Sequence, residues 1–193
     1  MKPTEFQSLA EAGYNRIPLY REVLVDFDTP LGIYLKLGRG PCSHLLESVQ
    51  GGEKWGRYSF IGLPCNTVLR VTGKTLRVET AGKVVEEQQT DDPIAWIAEF
   101  RKRYRMPELP GLPRFNGGLV GYFGYDTVRY VEHRVADTAP LDSVHTPDIL
   151  LMVSEEVLVF DNLRNTLTLI VYVDPAEQDA REQGLARLDA LET

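Results

Sequence analysis

With 193 residues, 43% of them hydrophobic and 25% charged, the chain has the composition of a globular protein with room for a sizeable core. Its formal net charge of −7, without a concentrated Lys/Arg stripe, argues against nucleic acid and anionic membranes as partners. Cys42 and Cys65 make no Cys-x-x-Cys pair and no disulfide framework, so they read as small core residues in a reducing compartment. The N-terminus lacks a basic region followed by an apolar segment, and no run is long enough to span a bilayer, so the expected location is the cytoplasm.

In chain order, Thr4 reads as the cap of a short helix over 5–12, with Phe6, Leu9 and Ala10 on one face and Gly13 as its stop. Residues 16–25 read as a strand in which Ile17, Leu19 and Val23 bracket Arg21 and Glu22, and Pro18 marks its start or a sheet edge. Asp28-Thr29-Pro30 opens a helix over 31–37, which Gly38-Arg39-Gly40-Pro41 ends. Two β-like runs follow, 43–49 and 57–61, around a polar connector holding Gly51, Gly52 and Gly56. Beyond Gly62, residues 67–71, 75–79 and 83–87 predict a meander with Gly-bearing turns and one wet face. Asp92-Pro93 starts an amphipathic helix to about Tyr104, with Ile94, Ile97, Ala98 and Phe100 turned inward.

Pro107, Pro110, Gly111 and Pro113 make the next stretch a loop. Residues 117–125 return as a strand with four glycines among aromatics. No Gly-Lys-Ser/Thr follows them and the dinucleotide spacing is absent, so the glycines predict close sheet packing, with Tyr122, Phe123 and Tyr125 filling the space beside them. Asp126 reads as the cap of a short turn carrying Val128 and Tyr130, and 132–147 as a surface loop. Strands are predicted over 149–154, 156–161 and 166–174, the last two joined by the turn Asp161-Asn162-Leu163-Arg164-Asn165. Asp174-Pro175 opens a final helix with Leu185, Leu188 and Leu191 as its apolar positions. No Gly, Asn or Pro stop precedes Thr193, so the chain is expected to be cut within or just after this helix.

The stretch 42–62 holds the most suggestive chemistry. Alternation puts Leu45, Glu47 and Val49 on one face, and His44, Leu46 and Ser48 on the other. Glu47 thus shares a face with apolar residues, where a carboxylate is costly unless paired. Ser48, Lys54 and Arg57 lie within loop reach. An acid, a hydroxyl and a base among leucines suit a zwitterion such as an amino acid. On residue chemistry alone, a strand ending on a solvated Glu is the preferred reading. Nothing assembles a catalytic set: His44, His133 and His145 stand in no nucleophile–base relation to either cysteine. His44 reads as bordering the core, and His133 and His145 as solvated loop residues. No His/Cys cluster has zinc spacing and no Glu-rich helix suggests a Mg²⁺ site.

Leu45-Leu46-Glu47-Ser48, then Arg57-Tyr58-Ser59-Phe60-Ile61-Gly62, then Gly117-Gly118-Leu119-Val120-Gly121-Tyr122-Phe123-Gly124-Tyr125-Asp126 occur in that order. This series resembles the N-terminal region of anthranilate synthase component I, the large subunit that makes anthranilate from chorismate, from about Ile17 to Asp174. The related aminodeoxychorismate synthase large subunit shares the architecture, but the run from Gly121 to Tyr130 looks more like the former. A stand-alone amino-acid-sensing module is the remaining alternative.

The resemblance implies an α+β fold, with antiparallel β-sheets packed as a sandwich and helices on the outside. Residues 1–193 would form one N-terminal domain. It implies part of a lyase of aromatic amino acid (tryptophan) biosynthesis, inactive alone, since the family's chorismate- and Mg²⁺-binding residues belong to a C-terminal domain beyond this chain. No catalytic residue, cofactor or metal is expected here. By resemblance, Leu46, Glu47 and Ser48 line an L-tryptophan feedback-inhibition site, with Arg57 preferred over Lys54 for the ligand carboxylate because its fork suits one. The expected partners are L-tryptophan, a glutamine amidotransferase subunit and the C-terminal domain in cis. Regulation would be a population shift, tryptophan favouring an open arrangement of the two parts and chorismate a closed one.

Overall fold

The structure is a computed structural model that describes residues 1–25, 27–47, 56–135 and 145–192. In chain order its elements are α1 (Pro3–Glu11), β1 (Ile17–Leu24), α2 (Pro30–Ile33, continuing into a π-helical turn at Tyr34–Gly38), β2 (His44–Leu46), β3 (Tyr58–Gly62), β4 (Thr67–Thr72), β5 (Thr75–Thr80), β6 (Lys83–Gln89), α3 (Pro93–Arg101), β7 (Gly118–Phe123), α4 (Val128–Val131), β8 (Ile149–Ser154), β9 (Glu156–Asp161), β10 (Thr166–Val173) and α5 (Ala180–Glu192). The strands form two five-stranded sheets, β1-β10-β9-β3-β2 and β6-β5-β4-β8-β7, so the fold is α+β. Every pairing with a described register is antiparallel.

The chain divides into two compact units. The first holds Met1–Cys65, Tyr104–Gly118 and Ser154–Thr193, and contains the first sheet. Pro18 sits in β1, an edge strand, which is where a strand tolerates a residue without an N–H. One face of this sheet carries Leu19, Ile61, Leu158 and Leu169, all essentially inaccessible, packed with Ile33 of α2 and Leu188 and Leu191 of α5. Gly184 lets α5 lie close: a Cβ there would stand 2.6 Å from Leu19 Cδ1 and 2.7 Å from Val173 Cγ1. The other face carries Val157, Val159, Ile170 and Tyr172, covered in part by Leu112 and Phe115 from the Pro-rich loop. Phe115 meets Phe60 edge-on at 5.2 Å.

The second unit, Asn66–Arg103 and Leu119–Val153, contains the β4–β6 meander, α3, β8 and most of β7. Leu69, Val71, Leu76 and Ile149 are its most deeply buried side chains. Asp92 caps α3 by accepting from the Ala95 N–H at 2.9 Å. The predicted glycine packing is present: a Cβ at Gly121 would lie 1.9 Å from the Leu150 carbonyl oxygen. Among the described residues, no helix is long and apolar enough to cross a membrane.

Several local expectations are corrected. The inward face of α3 is Pro93, Ile97 and Phe100; Ile97 and Phe100 are inward as expected, while Ile94 and Ala98 are exposed. The last helix begins at Ala180 rather than after Pro175. Asp174 Oδ1 accepts the Ala176 N–H at 3.0 Å in a turn, and Asp179 adopts φ +51°, so the backbone is not helical until past that residue. Tyr122, Phe123 and Tyr125 do not fill space beside the glycines. They are exposed, Tyr125 at 93%, because the close approach at Gly121 is backbone against backbone. Asp126 does not cap α4; its carboxylate accepts from Arg129 at 2.9 Å. Helix α1 starts at Pro3 without a side-chain cap, ahead of Thr4. Cys42 and Cys65 are free and half-buried rather than in the core.

Candidate ligand site on the first sheet

Register decides which side chains meet. Leu46, Phe60, Val159, Thr168 and Glu22 are successive Cα partners across β2, β3, β9, β10 and β1, so they share one face. Tyr58, Asp161 and Thr166 form the next row on that face. Leu45 points the other way, into the apolar layer under α2 and α5, and Leu46 is left 48% exposed beside Phe60. Glu47 follows β2 and is exposed. Ser48, Val49 and Lys54 lie outside the described residues. His44 borders the core as expected: its ring occupies the space over Gly62, and its buried Nε2 has no hydrogen-bond partner. Burial lowers its pKa.

Arg57 stands one residue before β3. Its guanidinium donates to Asp161 through Nε (3.1 and 3.2 Å) and Nη2 (2.7 Å), and lies 4.8 Å over the Tyr58 ring. Asp161 is 7% exposed and also accepts the N–H groups of Leu163 (3.0 Å) and Arg164 (3.3 Å). Burial pushes its carboxyl up, and these donors outweigh that, holding it below the usual carboxylate range. The hydrogen bonds to Asp161 raise the Arg57 pKa in turn. Asn162 completes the junction: its N–H donates to the Arg57 carbonyl (2.7 Å), and its Nδ2 to the Gly56 carbonyl (3.0 Å) and Ser59 Oγ (3.2 Å). The β9–β10 turn therefore grips the start of β3.

Beside this junction is a cavity of about 140 Å³, floored by Val159 and Tyr58, walled by Leu112 of the Pro-rich loop and rimmed by Glu22, Arg164 and Thr168. Arg57 Nη1 has no partner among the described residues, and neither do the side chains of Glu22 and Arg164. The lining is mainly polar and charged, with Glu22, Arg57, Asp161, Arg164, Thr166 and Thr168 around Tyr58, Leu112 and Val159, and it holds no nucleophile–base pair, so it suits binding rather than bond-making. No group of three or more His, Cys, Asp and Glu among the described residues could hold a metal ion. The structure thus places Leu46 in the first sheet and Arg57 at the start of β3 beside the cavity, and adds Asp161, Arg164 and Glu22, which sequence reasoning did not single out. The only sequence signal for Asp161 and Arg164 was the hairpin turn they belong to.

No family model matches the chain. It is 59% identical over 191 residues to anthranilate synthase component 1 of Pseudomonas aeruginosa, covering 99% of this chain and 39% of that protein. Against anthranilate synthase component 1 of Neisseria meningitidis serogroup B it is 50% identical over 192 residues, 98% of this chain and 39% of that one. The Aquifex aeolicus protein of the same name is 45% identical over 168 residues, 86% of this chain and 33% of its own. The chain therefore spans 39% of the length of the first two curated relatives. Among solved structures, anthranilate synthase component I from Streptococcus pneumoniae matches with a TM-score of 0.54 at 23% identity, over 89% of this chain and 36% of that one, a likeness of fold.

Proposed function

We propose, for a chain that corresponds to the N-terminal region of anthranilate synthase component I, that residues 1–193 are the regulatory and structural domain of an enzyme converting chorismate to anthranilate and pyruvate with glutamine-derived ammonia. The 59% identity over nearly the whole chain carries this reading. Catalysis, with its Mg²⁺, belongs to residues outside this chain, and the domain alone is inactive. Its partners are the rest of the large subunit and a glutamine amidotransferase subunit, in the cytoplasm.

The regulatory ligand in this reading is L-tryptophan, held by Leu46, Glu47, Ser48 and Arg57. Support comes from Leu46, a large apolar side chain exposed at the end of a short strand, which offers a surface to an indole. Arg57 contributes through Nη1, since Nε and Nη2 are taken by Asp161. The test is calorimetric titration of the chain with L-tryptophan, with L-phenylalanine as control. Selective heat for tryptophan, lost in Leu46→Asp, is the expected result. Equal heats for both amino acids, or tryptophan binding unchanged in Leu46→Asp, would remove the tryptophan site from this region.

A further inference from the structure

We infer that the cavity between the Pro-rich loop and the first sheet is a separate pocket for a small zwitterion, an α-amino acid or the head of one, with Arg164 meeting the carboxylate and Glu22 the ammonium. The pocket shares Arg57 with the tryptophan reading but goes beyond it and does not depend on it.

The charge balance of the rim carries the argument. Arg57 and Asp161 line this cavity, but they neutralise one another through a bidentate contact, and Asp161 is further satisfied by two N–H groups. An incoming carboxylate would find there a cation whose charge Asp161 already balances, with only Nη1 left to donate. Two full charges remain on the rim, Glu22 and Arg164, of opposite sign and each without an ion-pair partner among the described residues. A lone anion would be drawn to Arg164 and repelled by Glu22, and a lone cation the reverse. A molecule carrying both charges satisfies both.

The parts are also built rather than incidental. Arg164 is presented by a turn that the Asp161 carboxylate and the left-handed Asn165 (φ +52°) hold in shape. Glu22 is presented by the adjoining β1, in register with Thr168, whose hydroxyl lies on the pocket face as a further donor and acceptor. Tyr58 and Leu112 supply the apolar part of a lining that is otherwise polar. A volume of about 140 Å³ admits an amino-acid head with a small side chain and leaves a larger one outside.

The test is a titration of the ¹⁵N-labelled chain with glycine, acetate and methylammonium, read from amide chemical shifts, and repeated with L-tryptophan. Glycine should perturb the amides of Leu163, Arg164, Thr166 and Thr168 saturably, and acetate and methylammonium should do so far less. Arg164→Gln and Glu22→Gln remove exposed charges and leave the fold intact, and each should weaken glycine binding by roughly tenfold or more. Glycine binding that neither variant changes, acetate perturbing these amides as strongly as glycine, or no perturbation by glycine would overturn the pocket. No response of these amides to glycine, with tryptophan binding still abolished by Leu46→Asp, would leave the tryptophan site standing without this pocket. An Arg164-dependent response to glycine without any to tryptophan would support the pocket and count against the tryptophan reading.

Discussion

At the scale of single residues, two buried titratable groups make opposite use of their surroundings. His44 is half-buried with nothing to stabilise a second proton, so burial lowers its pKa below 6.5. The unfolded chain then takes the proton first, and stability falls as the pH is lowered through 6.5 and below. Urea midpoints measured from pH 8 to 5 should show this decline, and His44→Gln should flatten it. Asp161 is the reverse case, a carboxylate kept charged by Arg57 and two N–H groups. Its depressed pKa contributes stability that is present above about 3.8, the unfolded value, and is lost as the pH falls below it. Asp161→Asn should therefore cost about 2 kcal/mol at neutral pH, as expected for hydrogen bonds to a charged group, and should shrink the acid limb of the unfolding curve.

At the scale of elements, the sharpest constraint is the approach of β7 to β8. A Cβ at Gly121 would fall 1.9 Å from a backbone oxygen, which cannot rotate away as a side chain does. Gly121→Ala should destabilise the second unit by about 3 kcal/mol, at the upper end for overpacking, visible as early exchange of its β4 and β5 amides. Gly184 differs in kind, since the atoms it meets are methyls of Leu19 and Val173 that can shift. Capping supplies a smaller effect: Asp92→Ala removes the acceptor for the Ala95 N–H and should cost about 1 kcal/mol by thermal unfolding.

At the scale of the whole molecule, the two edges of the second sheet are unequal. Strand β6 exposes Val84 and Val85 but flanks them with Lys83, Glu86 and Glu87, which discourage pairing, whereas β7 offers Leu119, Val120, Tyr122 and Phe123, the last two exposed, with no charge among them. With Tyr125, Val128 and Val131 also exposed nearby in sequence, this edge invites association. Sedimentation velocity at rising concentration should show self-association, reduced by Phe123→Lys; a monomer throughout the range would contradict it.

What the sequence determined by itself was the kind and order of nearly every element, because period-two alternation, glycine turns and Asp/Thr-Pro helix starts are properties of neighbouring residues. It also carried the family resemblance, since Leu45–Ser48, Arg57–Gly62 and Gly117–Asp126 are contiguous runs. Only the tertiary structure decided which strands lie side by side, and hence that Tyr58 faces Asp161 and Thr168 faces Glu22. Arg57 and Asp161 are 104 residues apart, and a two-residue repeat fits equally well against any strand at any even offset. For that reason the sequence offered Arg57 to a ligand's carboxylate, whereas in the folded chain it is one half of an ion pair with Asp161.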